Sequence, residues 1–290
     1  MAASDMIAPA SGPAAGATPY LFHRHALVVR ITHWINAFAI VFLILTGLNI
    51  FNAHPSLYWG KQGSDIDAGT RWLQIGSATA AGAPYGYLRI GALEIETTGL
   101  LGRSAAANGQ QQDIGYPAWA TFPSYRDLGT ARNFHFFFAW LLIANGLVYL
   151  AYALASGHLR TNIMPRLREL RWSNIAHDIV QHARLKFPRG EDARRYHILQ
   201  KLAYAGFILV LMPLVILTGL GMSPGINAAW PWLLDIFGGR QSARSLHWIA
   251  MNLITLFIIV HLLMVVLAGP FNEIRSMITG KFRIDPEPRP

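Results

Sequence analysis

Four long apolar segments constrain the fold of this chain more than any other feature. They cover about residues 28–51, 133–155, 199–222 and 245–269. A helix needs about 20 apolar residues to cross the hydrocarbon core of a bilayer, and each segment is long enough. The composition agrees, because 53% of the residues are hydrophobic and only 13% are charged. The sequence therefore predicts an all-α fold, a polytopic membrane four-helix bundle with a long outer loop between helices one and two.

The remaining segments divide into tails and loops around a membrane domain at 24–284. Residues 1–23 are rich in Ala, Pro, Gly and Ser and lack the pattern of a signal peptide, which predicts a flexible tail; a second short tail is expected at 285–290. The outer loop, 54–131, is too long for a turn and is expected to be a docking surface or an ordered cap, with a poorly ordered insertion as the alternative. Its stretch "YGYLRIGALEIETTGLLG" alternates in a way that predicts a strand pair. Ser124 is the expected N-cap of span two.

The basic residues indicate how the chain is oriented. The formal net charge is +9, and much of it falls in the loop 157–196 between spans two and three, at Arg160, Arg166, Arg168, Arg171, Arg184, Lys186, Arg189, Arg194 and Arg195. By the positive-inside rule this loop and both termini are expected in the cytoplasm of a bacterium, with the bundle in its inner membrane. We therefore interpret the charge as an orientation signal, with anionic lipid as a lesser role, and expect no nucleic-acid partner.

The same loop contains one short amphipathic stretch, "RWSNIAHDIVQHARL". Its apolar residues predict a helix lying on the membrane surface: Trp172, Ile175, Ile179 and Leu185. His177 and His182 are five positions apart and do not share a helical face, so no metal site is expected there.

Histidines are the candidate metal ligands, since the chain has no cysteine. His261 follows His247 by fourteen positions in span four. On a helix this spacing gives about 21 Å along the axis and about 40° around it, so both face one way near opposite membrane surfaces. They cannot share one ion. Each requires a partner at its own depth, which His33 in span one and His135 in span two supply.

Two stacked pairs result, His33 with His261 toward the inner surface and His135 with His247 toward the outer surface. The pattern suits two b-type haems, each iron held between two imidazoles. Gly47 and Gly146 lie at the depth of the opposite pair and are expected to leave a gap beside a haem, although glycines are also common at helix contacts. The rival explanation, a proton or ion pathway in a non-redox anchor or transporter with structural histidines, would be expected to place carboxylates in the spans.

Three further features of the sequence have no single explanation. His197 is a weaker candidate for the inner iron, and together with Tyr196, Gln200 and Lys201 it could bind a quinone head group or anchor the helix at the interface. Arg30, Arg240 and Arg244 could meet haem propionates or extend to the lipid head groups. "ILTGL" occurs at 44–48 and 216–220, and "HWI" at 33–35 and 247–249, matches too short to prove a duplication.

The motifs "RITHWINAF", "RNFHFFFAW" and "LHWIAMNLITLFIIVH" resemble the bacterial cytochrome b561-like di-haem membrane subunits. These are related to the cytochrome b subunits of nickel–iron hydrogenase, formate dehydrogenase and thiosulfate reductase, and the resemblance covers nearly all of 24–284. It implies that His33, His135, His247 and His261 are axial haem ligands. "RYHILQKLAY", "LTGLGMSPG" and "FGGRQSARSLH" are similar to the cytochrome b partners of periplasmic molybdopterin oxidoreductases, which implies such a partner.

The sequence thus predicts a membrane di-haem b-type cytochrome that relays electrons between the quinone pool and a periplasmic oxidoreductase. Such a chain is an electron-transfer subunit rather than a complete enzyme, with quinone as an exchangeable substrate. The aromatic candidates for the docking surface are Trp72, Trp119, Trp230 and Trp232, although an aromatic belt at the membrane interface is the favoured explanation for Trp230 and Trp232. The alternative within electron transfer is a self-contained quinone oxidoreductase that uses a small donor such as superoxide.

Overall fold

The computed structural model describes residues 19–63, 69–184 and 197–284. Several sequence-based predictions lie outside these residues: the N-terminal tail up to residue 18, the tail 285–290, and the roles of Leu185, Lys186, Arg189, Arg194, Arg195 and Tyr196. The side chain of His182 is outside them too.

Helices form most of the described chain. They are α1 (Leu27–Phe51), α2 (Leu128–Ala155), α3 (Trp172–Ala183), α4 (Ile198–Gly206), α5 (Met212–Met222), α6 (Pro224–Ala229), α7 (Trp232–Ile236), α8 (Arg240–Ala268) and α9 (Pro270–Thr279). A π-helical turn at Phe207–Leu211 joins α4 to α5. Within the described ranges, four helices are long and apolar enough to cross a membrane: α1, α2, the continuous Ile198–Met222 and α8.

The prediction of an all-α fold is wrong, because the described residues are 60% helical and 17% strand. The strands are β1 (Tyr20–His23), β2 (Ser56–Tyr58), β3 (Arg71–Ala80), β4 (Ala83–Ile90), β5 (Leu93–Glu96), β6 (Gly102–Ala105), β7 (Gln111–Ile114) and β8 (Lys281–Ile284). Six of them, β2 to β7, lie between α1 and α2. The backbone N–H and C=O groups of these strands pair with each other in sheets.

We call the described residues between α1 and α2 the cap, and the membrane surface on which it lies the cap side. The cap contains an antiparallel sheet in the order β2-β3-β4-β5 and a β6-β7 hairpin. The strand pair predicted in "YGYLRIGALEIETTGLLG" is confirmed, since Tyr87 pairs with Glu96 and Ile90 with Leu93. The described part of the loop is therefore an ordered cap and not a poorly ordered insertion.

The two ends of the described chain meet on the opposite surface, which we call the terminal side. β1 pairs with β8, from Tyr20 with Ile284 to His23 with Lys281. The N-terminal tail was predicted to extend to residue 23, and this is wrong for Tyr20–His23. The pairing partner is more than 250 residues away, so no local pattern in the sequence could indicate it.

The cap is attached to the membrane helices by an apolar core and by hydrogen bonds. Phe51 at the end of α1 packs with Leu57, Leu73 and Ile75 of the cap, and Trp248 of α8 packs against this cluster. The buried Ser245 hydroxyl donates to Tyr58 O at 2.7 Å and accepts from Trp72 Nε1 at 2.9 Å.

Two sequence-based predictions near the cap therefore fail. Trp72 is half-buried in these contacts and is not an exposed docking residue. Asp127, not Ser124, is the N-cap of α2, because its carboxylate accepts from Thr130 N at 3.0 Å, which also lowers the pKa of Asp127.

The four spans meet in an apolar layer at mid-depth. Ile40 of α1, Leu142 of α2 and Ile254 of α8 form a buried cluster, and residues from Phe207 to Val215 of the third span pack against it. Each of the three lies seven positions from a histidine, after His33, His135 and His247 respectively. Seven residues rise about 10 Å, so the layer lies midway between the two predicted sites.

Candidate functional site

The structure brings His135 and His247 together between α2 and α8, near the cap. Their ring centroids are 6.3 Å apart, and both rings are half-buried. We call this pair and its surroundings the cap-side site. All four spans contribute to it, because Gly47 of α1 and Gly219 of α5 also face the rings.

His33 and His261 form a second pair between α1 and α8, near the paired strands β1 and β8. Their ring centroids are 6.4 Å apart, and the ring of Phe257 stacks on His261 at 5.9 Å. We call this the terminal-side site. Each pair thus combines the two histidines that lie at one depth.

The spacing within each pair suits one metal ion held between two imidazoles. A metal–nitrogen bond of about 2.0 Å plus about 1.2 Å from the nitrogen to the ring centre, doubled, gives about 6.4 Å between centroids. Among the described residues no group of three His, Cys, Asp or Glu could hold an ion. A bare zinc or copper ion takes three or four protein ligands, so an ion held by two histidines alone would need further ligands from a group such as a porphyrin.

A cavity of about 660 Å³ surrounds the cap-side pair, within the size range of small-molecule cofactor sites. Its lining includes both histidines, Gly47 and Gly219, and at its cap-side end Arg132, Arg240 and Arg244. Apolar walls with cationic groups at one end match a flat apolar ring that carries carboxylates at one edge.

Glycine provides the room beside the cap-side rings. A Cβ at Gly47 would lie 3.4 Å from His135 Cε1, and one at Gly219 would lie 3.2 Å from His247 Cε1. Gly47 was predicted to lie at this depth, while Gly219 was missed. Gly146 has open space around its Cβ position, with no described atom within 4 Å.

Two threonines that the sequence analysis did not single out also touch these rings. Thr46 Oγ1 lies 3.0 Å from His135 Nδ1, and Thr218 Oγ1 lies 3.1 Å from His247 Nδ1. Both threonines are fully buried. They belong to the two copies of "ILTGL", so the short repeat was the available signal.

The predicted propionate partners have different surroundings in the structure. Arg244 donates to Ser56 O at 2.9 Å and to His54 O, and Arg240 donates to Met222 O at 2.8 Å. These bonds attach α8 to the cap and to the end of α5. Both guanidinium groups nevertheless line the cavity.

Arg30 is the corresponding cation at the terminal side. Its Nε is buried without a hydrogen-bond partner among the described residues. The nearby His25, which precedes α1, adds no charge near neutral pH, because burial and then repulsion from Arg24 lower its pKa to about 4. Arg24 itself is paired with Glu273 at 3.4 Å. Arg30 could therefore donate a hydrogen bond from Nε to an anionic group bound beside His33.

The polar residues proposed for a quinone head group bond to α3, to the segment before α3, and to each other at the start of α4. His197 Nδ1 lies 3.3 Å from Asp178, and its backbone N–H donates to Gln200 Oε1. Lys201 donates to Glu169 at 2.8 Å, and this bond lowers the pKa of Glu169. His197 belongs to neither histidine pair.

Four membrane-length helices among the described residues, with paired histidines between them, define the class of this protein, an integral membrane protein. The family model of prokaryotic cytochrome b561 matches residues 24–280. The chain therefore belongs to the prokaryotic cytochrome b561 family, as the sequence motifs predicted, and is a cytochrome b561-type membrane haem protein. Membership implies haem b, and the non-redox alternative does not fit it.

One curated relative is similar over about half of the chain. It is the "Putative protein-methionine-sulfoxide reductase subunit YedZ1" of Azospira oryzae, 32% identical over 153 residues, which cover 53% of this chain and 72% of the relative. No solved structure matches the chain.

Proposed function

We propose that the chain is a membrane electron relay with one haem b at the cap-side site and one at the terminal-side site. The pairing of His135 with His247 and of His33 with His261, at 6.3 Å and 6.4 Å between ring centroids, carries this proposal. His247 and His261 face one way along α8, about 21 Å apart along its axis. The two sites would therefore carry electrons across the membrane, from a donor at one surface to an acceptor at the other.

Haem iron held between two imidazoles supplies reversible one-electron transfer and leaves no position open for oxygen. The residues of the chain bind and shield this group. The four histidines hold the two sites apart, and Gly47 and Gly219 leave room for a flat ring. The apolar layer at mid-depth excludes water between the sites.

We propose that the cap side faces the periplasm and the terminal side the cytoplasm of a bacterial inner membrane. The support is the distribution of basic residues after α2, where the structure describes Arg160, Arg166, Arg168, Arg171 and Arg184. Lys and Arg in short loops remain on the cytoplasmic side. Both termini would then be cytoplasmic.

The electron donor in this proposal is a quinol that reacts beside the terminal-side site. His197, Gln200 and Lys201 already bind within the protein, so we expect them to stabilise the contact of α3 with α4 rather than to be the main ligands of the head group. The quinol releases two electrons, one at a time, and two protons.

The proposed acceptor is a periplasmic oxidoreductase docked on the cap. The ordered cap offers a preformed surface, and Trp119 is 76% exposed on it. Trp230 and Trp232, which follow α5, are exposed as well.

The name of the Azospira oryzae relative points to a protein-methionine-sulfoxide reductase as the partner. Reduction of the sulfoxide takes two electrons and two protons and yields methionine and water, which balances one quinol. The resemblance to partners of molybdopterin enzymes makes molybdopterin the expected catalytic group of that partner.

An electron-transfer assay in nanodiscs tests the relay. We expect a ubiquinol or menaquinol analogue to reduce both haems of the full chain, as followed by visible absorption. Adding the catalytic subunit of a periplasmic methionine sulfoxide reductase from the same organism, with methionine sulfoxide, should reoxidise them and yield about one methionine per quinol.

Two matched reactions serve as controls for this assay. Without the reductase the haems should stay reduced, and in His247→Leu quinol should still reduce the remaining haem while methionine formation is lost. Failure of quinol to reduce any haem contradicts the relay. Reduction by superoxide with transfer to quinone, in the absence of any partner, would instead establish the self-contained oxidoreductase.

A further inference from the structure

The two copies of "ILTGL" place the same two groups against the two histidines of the cap-side site. In the first copy Thr46 and Gly47 contact His135, and in the second Thr218 and Gly219 contact His247. The distances from Oγ1 to Nδ1 are 3.0 Å and 3.1 Å. The two halves of the bundle thus build one site from matching parts.

The direction of these hydrogen bonds follows from the other contact of each hydroxyl. Thr46 Oγ1 donates to Phe42 O at 2.6 Å, and Thr218 Oγ1 donates to Leu214 O at 2.6 Å. A hydroxyl has one proton to donate, and here the carbonyl one turn earlier accepts it. The hydroxyl oxygen therefore accepts, and Nδ1–H of the histidine donates to it. Each ring also has a hydrogen-bond contact with a backbone carbonyl of the same turn, Leu43 O for His135 and Val215 O for His247.

A proton on Nδ1 leaves the lone pair of a neutral imidazole on Nε2. That is the tautomer in which Nε2 can bind iron, while the bond from Nδ1 fixes the rotation of the ring. Hydrogen bonding at the far nitrogen also makes an imidazole a more basic ligand.

We propose that Thr46 and Thr218 are positioning residues that fix the tautomer and orientation of His135 and His247 and thereby lower the midpoint potential of the cap-side haem. The inference rests on the proposed function, in which these histidines are ligands. A more basic ligand stabilises ferric over ferrous iron, so removing the acceptor should raise the potential.

The terminal-side site lacks a described hydrogen-bond acceptor for Nδ1 of His33. That nitrogen is nevertheless buried. The threonines therefore distinguish the cap-side haem from the terminal-side haem, and their removal should affect only the former.

Potentiometric titration of the purified full-length chain tests the proposal. In the double variant Thr46→Val and Thr218→Val, which keeps the side-chain shape and removes both hydroxyls, we expect the potential of one haem to rise and that of the other to stay constant. Thr46→Ser with Thr218→Ser keeps both acceptors and should keep both potentials. Haem affinity at the altered site should fall by roughly 10–100-fold in the valine variant alone.

Two single-haem backgrounds identify which haem responds. With His261→Leu, which leaves the cap-side haem, the valine pair should shift the potential, and with His247→Leu it should not. Unchanged potentials in the valine variant overturn the proposal, as does equal haem loss in the valine and serine variants, since that result indicates a packing role. If the unmutated chain binds no haem, the proposed function itself fails, which is a distinguishable result.

Discussion

Replacing His247 with leucine is expected to reduce the haem b content of the purified chain from two per chain to one. His247 provides one of the two imidazoles at the cap-side site, and an iron left with His135 alone loses a strong axial ligand. The leucine keeps an apolar side chain of similar bulk in the helix, so the bundle should still form. Pyridine haemochrome analysis against protein concentration measures the effect.

The other three histidines extend this experiment into a test of the pairing. His135→Leu should leave the same reduced spectrum and potential as His247→Leu, because both variants retain the terminal-side haem. His33→Leu and His261→Leu should share a second reduced spectrum and potential, those of the cap-side haem. His177 is exposed on α3, so His177→Leu is the matched control and should retain both haems. A His247→Leu chain that still binds two haems, or one whose remaining haem matches that of His33→Leu, would contradict the assigned pairs.

The second large effect is expected from filling the space beside the cap-side rings. Gly47→Leu and Gly219→Leu should each prevent haem binding at this site, because even a Cβ would lie 3.4 Å from His135 and 3.2 Å from His247. The rest of each leucine would project into the cavity where the ring is proposed to lie. Haem content and the potential of the remaining haem measure the loss.

Glycine at an exposed position provides the control for the two leucine variants. Gly225 lies on α6, with nothing described within 4 Å of its Cβ position, so Gly225→Leu should retain both haems. Full haem content in Gly47→Leu and Gly219→Leu would show that the space beside the histidines is not the cofactor site.

The four spans could be predicted from the sequence because length and apolar composition suffice for a helix in a bilayer. Their ends could not. Helix α2 begins at Leu128, four residues after the predicted N-cap Ser124 and five before the predicted span, and α8 begins at Arg240, five residues before its predicted span. Hydropathy measures only the part in lipid, while these helices continue into the cap, where Asp127 caps the first of them.

The cap shows where prediction from the sequence failed. Only the stretch containing β4 and β5 alternates clearly enough to indicate strands. β2 has three residues and β6 and β7 have four each, too few for periodicity to be recognised. Trp72 was predicted to be exposed because a tryptophan in a loop resembles an interface residue, but only tertiary contact with Ser245 of α8 decides its burial.

The histidine pairs were accessible from the sequence because depth along a membrane helix is a simple function of residue number. The same argument could have found Thr46, which precedes Gly47 and so lies beside His135. It was missed because a threonine in a helix usually bonds its own backbone, as Thr46 and Thr218 do. Only the structure shows that the same oxygen also lies within hydrogen-bond distance of a histidine Nδ1.

We propose that this chain holds two haems, each between two histidines. The haem b content of the unmutated, purified chain, combined with low-temperature electron paramagnetic resonance of the oxidised protein, tests this proposal. We expect two haem b per chain, both low-spin with six ligands. One haem per chain, or a high-spin signal from a fully loaded protein, would contradict it.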